Sequence, residues 1–249
     1  MIFQLLSVQR NGKLSATRPR IQMVGDWLGE MGFVNGALVQ TVPEQSGFVF
    51  NLCNENVNYS ELFHATKAKG GTLIRVYICN ERGRHKAPAL VTTGQHILKS
   101  GLVLGDNLVA KCEYGCIIVK KVSGNVRLVH VARTKKEYTG EPIPKLWLCG
   151  DWLNEIGFTA DTLVTAHSEP NCITFTAHSK EIIYSDVVKF ARKNKLRLIQ
   201  VATKLGAPVI NFGGAYIDHA EFGLDDILSI EYEQNFLKLQ KFDPQKFGF

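Results

Sequence analysis

Arginine and lysine gather at four recurring places in this chain of 249 residues. RNGKLSATRPR (10–20) carries Arg10, Lys13, Arg18 and Arg20. NERGRHK (80–86) carries Arg82, Arg84, His85 and Lys86, and RTKKEY (133–138) carries Arg133, Lys135 and Lys136. The fourth place holds only Lys204. Mobile cations on loops suit backbone phosphates, because each phosphate neutralised releases a condensed counterion. Arginine can also grip a phosphate or a guanine edge through two donors. The first three clusters are therefore the candidate nucleic-acid-binding set. Lysine and arginine also solvate ordinary loops, so the weight rests on their recurrence and on charge asymmetry. Residues 1–124 hold 14 Lys and Arg against 8 Asp and Glu, whereas residues 125–249 hold 15 of each. The whole net charge of +6 thus belongs to the first half, which suits an anionic partner approached from that side.

Other chemistry is sparse. The sequence has no P-loop, GxSxG, HExxH or dinucleotide fingerprint. Histidines stand scattered at 64, 85, 96, 130, 167, 178 and 219. His167 and His178 flank a hairpin with Cys172, at a spacing unlike a zinc site, and the pair Asp225–Asp226 reads as a turn. If the chain cleaved RNA, His85 among its neighbouring cations would be the general base, since only histidine titrates near neutral pH. No catalytic residue, metal or cofactor is assigned. The six cysteines form no CxxC pair and lie mostly in apolar runs, where cysteine serves as a small hydrophobe. With no signal peptide in MIFQLLSVQRNGK and no long apolar run, the expectation is a reduced cytoplasmic protein away from the membrane.

These residues are positioned by a repeated element. GDWLGEMGF at 25–33 returns as GDWLNEIGF at 150–158, an offset of 125 residues. The offset extends over 19–50 and 144–175. Weaker copies occupy 88–119 and 208–239, where His96 and Tyr216 replace Trp27 and Trp152. Each module reads as a strand (Ile2–Val8, Leu73–Ile78, Val126–Val131, Leu196–Ala202), a polar loop, a proline-led strand, a short helix and a hairpin. In the nonapeptide Asp26 is the predicted N-cap and Trp27, Leu28 and Met31 one apolar face, so core packing is the reading for both tryptophans. Gly32 is the predicted left-handed C′ residue, with Phe33 folding back. Longer helices are predicted over 60–69 and 185–194, each with a serine N-cap.

The order of basic loop, proline, apolar strand and GxWLxxxGF resembles the SymE family of small bacterial toxin-like proteins, and through it the AbrB/MazE swapped-hairpin fold. The resemblance is strongest over 1–52 and 126–177. It implies a barrel normally completed by two subunits, here by two modules joined through a helix. It also implies nucleic-acid binding through the barrel loops, and RNA cleavage in some family members. The chain departs from the family in its four modules, its neutral second half and its degenerate even modules.

The expectation is a mostly-β protein with short helices, in which four SymE/AbrB-like swapped-hairpin modules pair as two fused pseudo-dimers. The first spans 1–124 (modules 1–52 and 72–122, linking helix 60–69). The second spans 125–249 (modules 126–177 and 196–242, linking helix 185–194). The expected function is nucleic-acid binding, DNA ahead of RNA. The alternative is a structural or protein-interaction scaffold with a partner on the neutral second half, and the third reading is an RNA-cleaving toxin of a toxin–antitoxin pair. Oligomeric state is left open.

Overall fold

The computed structural model describes residues 1–11, 18–54, 56–81, 85–122, 126–135, 140–179 and 181–249. The chain is mostly β with short helices. It divides into two compact units, Met1–Val122 with Phe249, and Ser123–Gly248. Among the described residues no helix is long and apolar enough to cross a membrane.

In the first unit the order is β1 (Ile2–Ser7), β2 (Gln9–Asn11), β3 (Arg18–Val24), α1 (Trp27–Glu30), β4 (Leu38–Glu44), β5 (Gly47–Leu52), α2 (Tyr59–Ala68), β6 (Thr72–Arg75), β7 (Tyr77–Glu81), β8 (His85–Thr93), α3 (Gln95–Lys99), β9 (Asn107–Glu113) and β10 (Cys116–Lys121). The second unit repeats it with β11 (Val126–His130), β12 (Ala132–Lys135), β13 (Pro142–Cys149), α4 (Trp152–Glu155), β14 (Leu163–Glu169), β15 (Cys172–Ala177), α5 (Tyr184–Lys193), β16 (Arg197–Gln200), β17 (Ala202–Lys204), β18 (Ala207–Gly213), α6 (Ala215–His219), β19 (Ile227–Glu233) and β20 (Phe236–Lys241).

Each unit holds a six-stranded and a four-stranded antiparallel sheet. The orders are β1-β9-β10-β5-β4-β6 with β2-β3-β8-β7, and β11-β19-β20-β15-β14-β16 with β12-β13-β18-β17. The first strand of each module pairs with the hairpin of the other: β1 runs along β9, and β6 along β4. The hairpins meet at β5 and β10.

Each expected first strand is followed by a second short strand that falls wholly or mostly in the expected polar loop. The two are divided at Val8, Val76, Val131 and Val201, all buried, where the chain passes from the six-stranded to the four-stranded sheet. At each corner a turn of the other module takes both backbone groups of the valine. Val8 donates to Asp106 O (3.0 Å) and accepts from Gly105 N–H (2.9 Å); Val76 does the same with Ala37 and Gly36. Val131 uses Asp226 and Asp225, and Val201 uses Thr162 and Asp161. A chain that leaves one sheet for another must find partners for its stranded amide and carbonyl, and the turn supplies both.

Buried side chains follow the repeat. Phe33, Phe48, Phe50, Leu28, Ile97 and Leu102 are fully buried in the first unit. Phe158, Ile173, Phe175, Leu153, Ile217 and Phe222 are buried in the second. Each fully buried side chain of this size contributes about 1.5–3 kcal/mol. Trp27 and Trp152 lie half-buried against these cores.

The short helices end as expected. Gly32 N–H bonds to Gly29 O (3.0 Å) and Phe33 N–H to Leu28 O (2.8 Å), the paired bonds of a Schellman ending. Gly32 has φ +87°, the left-handed conformation that glycine adopts without strain. The helix starts differ from expectation. Asp26 and Asp151 have helical φ/ψ and make no side-chain cap, so each stands inside the first turn. Gly25 takes the flanking place, and a Cβ there would lie 2.6 Å from Trp27 Cδ1. In α2 the cap is Asn58, whose side chain accepts from Ser60 and Glu61 N–H; in α5 Ile183 precedes the helix and no side chain caps it. The expected serine caps fall inside the helices because each starts one residue before its serine.

Candidate nucleic-acid interface

The basic clusters sit on the hairpins of the four-stranded sheets. In the first unit β2–β3 carries Arg10, Arg18 and Arg20, and β7–β8 carries Lys86. Lys13, Arg82, Arg84 and Lys136 lie outside the described residues. His85 opens β8 and Lys135 closes β12, and only their backbones are described.

Arg10, Arg18 and Lys86 are exposed, and none has an ion-pair partner among the described residues. Arg20 is half-buried, and its buried Nε has no hydrogen-bond partner among the described residues; the same holds for Arg127 in the second unit.

Strands β3 and β8 are antiparallel, Arg20 facing Thr93 and Val24 facing Ala89. The β2–β3 arm therefore leaves one end of the sheet and the β7–β8 arm the other. Continued along this register, Arg18 is level with Gln95, nine residues from Lys86. At about 3.3 Å per residue the two arms are rooted about 30 Å apart. The sequence clusters thus form no single patch but two arms on one sheet.

The second unit treats its cations otherwise. Arg133 Nη2 donates to Asp225 Oδ2 at 2.6 Å. That hydrogen bond, with the attraction of the carboxylate, raises the guanidinium pKa above its ordinary value. The β17–β18 arm closes in two residues, Leu205 and Gly206, both at positive φ. Lys204 Nζ lies 4.1 Å from the ring centre of Trp147, and Lys145 Nζ 5.3 Å. Both ammonium groups rest on an aromatic quadrupole.

The histidines singled out by sequence are packing residues at 96 and 178. His96 Nε2 shares a hydrogen bond with the Thr92 hydroxyl (2.7 Å) and its ring meets Phe48 edge-on. His178 Nε2 does so with Thr165 (2.9 Å), its ring against Phe190. Burial lowers both pKa values below the ordinary 6.5. Asp225 and Asp226 complete a turn from Gly223, as expected. Among the described residues no cluster of His, Cys, Asp or Glu could hold a metal ion.

Compared with known proteins, the chain matches no protein-family model, no curated protein and no solved structure.

Proposed function

We propose that the first unit binds nucleic acid, DNA ahead of RNA, through its two basic arms. The observation that carries this reading is their arrangement: two cationic hairpins rooted at opposite ends of one sheet, about 30 Å apart. That spacing approaches one turn of B-DNA, about 34–36 Å, so both arms can meet phosphates on one face of a duplex. Arg10, Arg18 and Lys86, exposed and without ion-pair partners among the described residues, fit the same ligand. The reading also takes each unit as a pair of SymE/AbrB-like swapped-hairpin modules. Its support is the exchange of first strands, β1 to β9 and β6 to β4.

The test is fluorescence anisotropy of labelled duplex DNA and RNA across a salt series. Binding is expected to weaken linearly in log–log form, with a slope of about −0.9 for each phosphate engaged. Changing Arg10, Arg18, Arg20 and Lys86 to alanine should flatten that slope. A protein that binds neither duplex at low salt overturns the proposal. Intact RNA after incubation would separate binding from cleavage.

A second reading, a protein-interaction scaffold, is favoured for the second unit. There Arg133 is engaged by Asp225, and Lys145 and Lys204 lie against the Trp147 ring. It predicts that the alanine changes above leave partner capture unaltered.

A further inference from the structure

Each unit has a cleft between a hairpin of its six-stranded sheet and the short helix that follows β8 or β18, and the two linings share two equivalent positions. In the first unit it lies between β4 and α3 and measures about 470 Å³; in the second it lies between β14 and α6 and measures about 490 Å³. The same backbone bond pins both: Ser46 N–H to Ser100 O (2.7 Å) and Asn171 N–H to Ala220 O (2.9 Å). In the second unit the Ser168 hydroxyl also donates to Tyr216 O, fixing helix to strand.

The linings differ. The first cleft is lined by Pro43, Glu44 and Lys99 among others. The second is lined by His167, Ser168, Lys195, Ala215, Tyr216 and His219. At the 125-residue offset His167 stands where the first unit has Val42, and Lys195 where it has Gly70. His219 ends α6 as Lys99 ends α3. Gly70 has φ +73°, and Lys195 keeps that left-handed conformation at φ +54°. A lysine there accepts backbone strain that the glycine avoids, and it lines the cleft. The Glu169 carboxylate, which corresponds to Glu44, is 3.7 Å from His167 Nδ1, on the opposite side of the ring from Nε2.

We infer that this second cleft binds a nucleoside monophosphate. Lys195, His167 and His219 come from three separate elements and offer hydrogen-bond donors to a phosphate, a site that charge-assisted bonds would favour. Ala215 and Tyr216 give an apolar wall against which a base can lie. The Arg197 guanidinium, 5.2 Å from the centre of the Tyr216 ring, adds positive charge behind that wall. The volume falls in the range of small-ligand sites, about 300–1,000 Å³. The inference does not depend on the basic arms, which belong to the other unit.

The experiment is calorimetric titration of the full chain with adenosine 5′-monophosphate, inorganic phosphate and adenosine in parallel. The monophosphate should bind at least about tenfold more tightly than either fragment. Lys195→Gly should weaken that binding about tenfold while keeping or raising the melting temperature, so its loss is not unfolding. His167→Ala and His219→Ala should also weaken it, and Lys99→Ala in the first cleft should not. No binding at millimolar ligand, equal affinity for phosphate and monophosphate, or full binding by Lys195→Gly overturns the inference.

Discussion

Arg133 and Asp225, 92 residues apart in the chain, share a hydrogen bond of 2.6 Å that joins the arm of the third module to the turn of the fourth. The position that sequence marks as a phosphate ligand is thereby held by an internal carboxylate. Asp225→Asn should release it. Because both side chains are largely exposed, the melting temperature should barely move. Binding of duplex DNA at low salt should strengthen, with a steeper salt dependence. Anisotropy on both proteins checks this.

The spacing of the first unit's arms predicts a length threshold. A duplex of about 20 base pairs can engage both arms, whereas one of about 8 reaches only one. The salt slope should therefore fall by roughly half on the shorter duplex. Equal slopes would show that one arm carries all the contacts.

Phe50 and Phe175 occupy equivalent, fully buried places in their units. Replacing either with alanine should cost about 3–5 kcal/mol, read from urea unfolding. Tyr114, 79% exposed, should lose no more than about 0.5 kcal/mol on the same change.

His96 and His178 make stability fall in mild acid. Both are lowered from 6.5 by burial, so the unfolded chain takes up protons first as pH drops. Their contribution is complete above 6.5 and is lost as pH falls through the lower folded values. The urea midpoint should therefore be lower at about pH 5.5 than at about pH 7.5, and His96→Gln with His178→Gln should reduce that difference.

Burial pushes the Cys112 thiol up to about 12, whereas Cys149 is exposed. Iodoacetamide at mildly alkaline pH should label Cys149 and leave Cys112 untouched until the fold is opened. Peptide mapping by mass spectrometry reads the order.

Much of this architecture is legible in the residues. The duplicated GDWLxExGF marks the repeat, and its Gly and Phe give the helix ending correctly because those bonds are local. The valine corners escape a sequence reading. Strand β2 lies in what reads as a basic loop, and what divides it from β1 is a turn of another module about a hundred residues away. Helix starts shifted for a similar reason: Asn58 caps the amides of Ser60 and Glu61, which places Ser60 inside the first turn. The basic arms are visible as composition, but their opposite directions follow from the antiparallel pairing of β3 with β8. His167, Lys195 and His219 carry no mutual spacing signal, since strand, loop and helix each supply one.

The exchange of first strands also sets the order of events on the ribosome. Ile2 faces Cys112, so β1 emerges without the strand it pairs with. At about 5–20 residues per second, roughly 5–20 s of synthesis separate the two. During that interval β1 and the outer edge of β5 present unpaired amides and half of an apolar core. A nascent chain halted after the first module is therefore a client for chaperones, and the smallest piece able to close its own sheets is the whole unit.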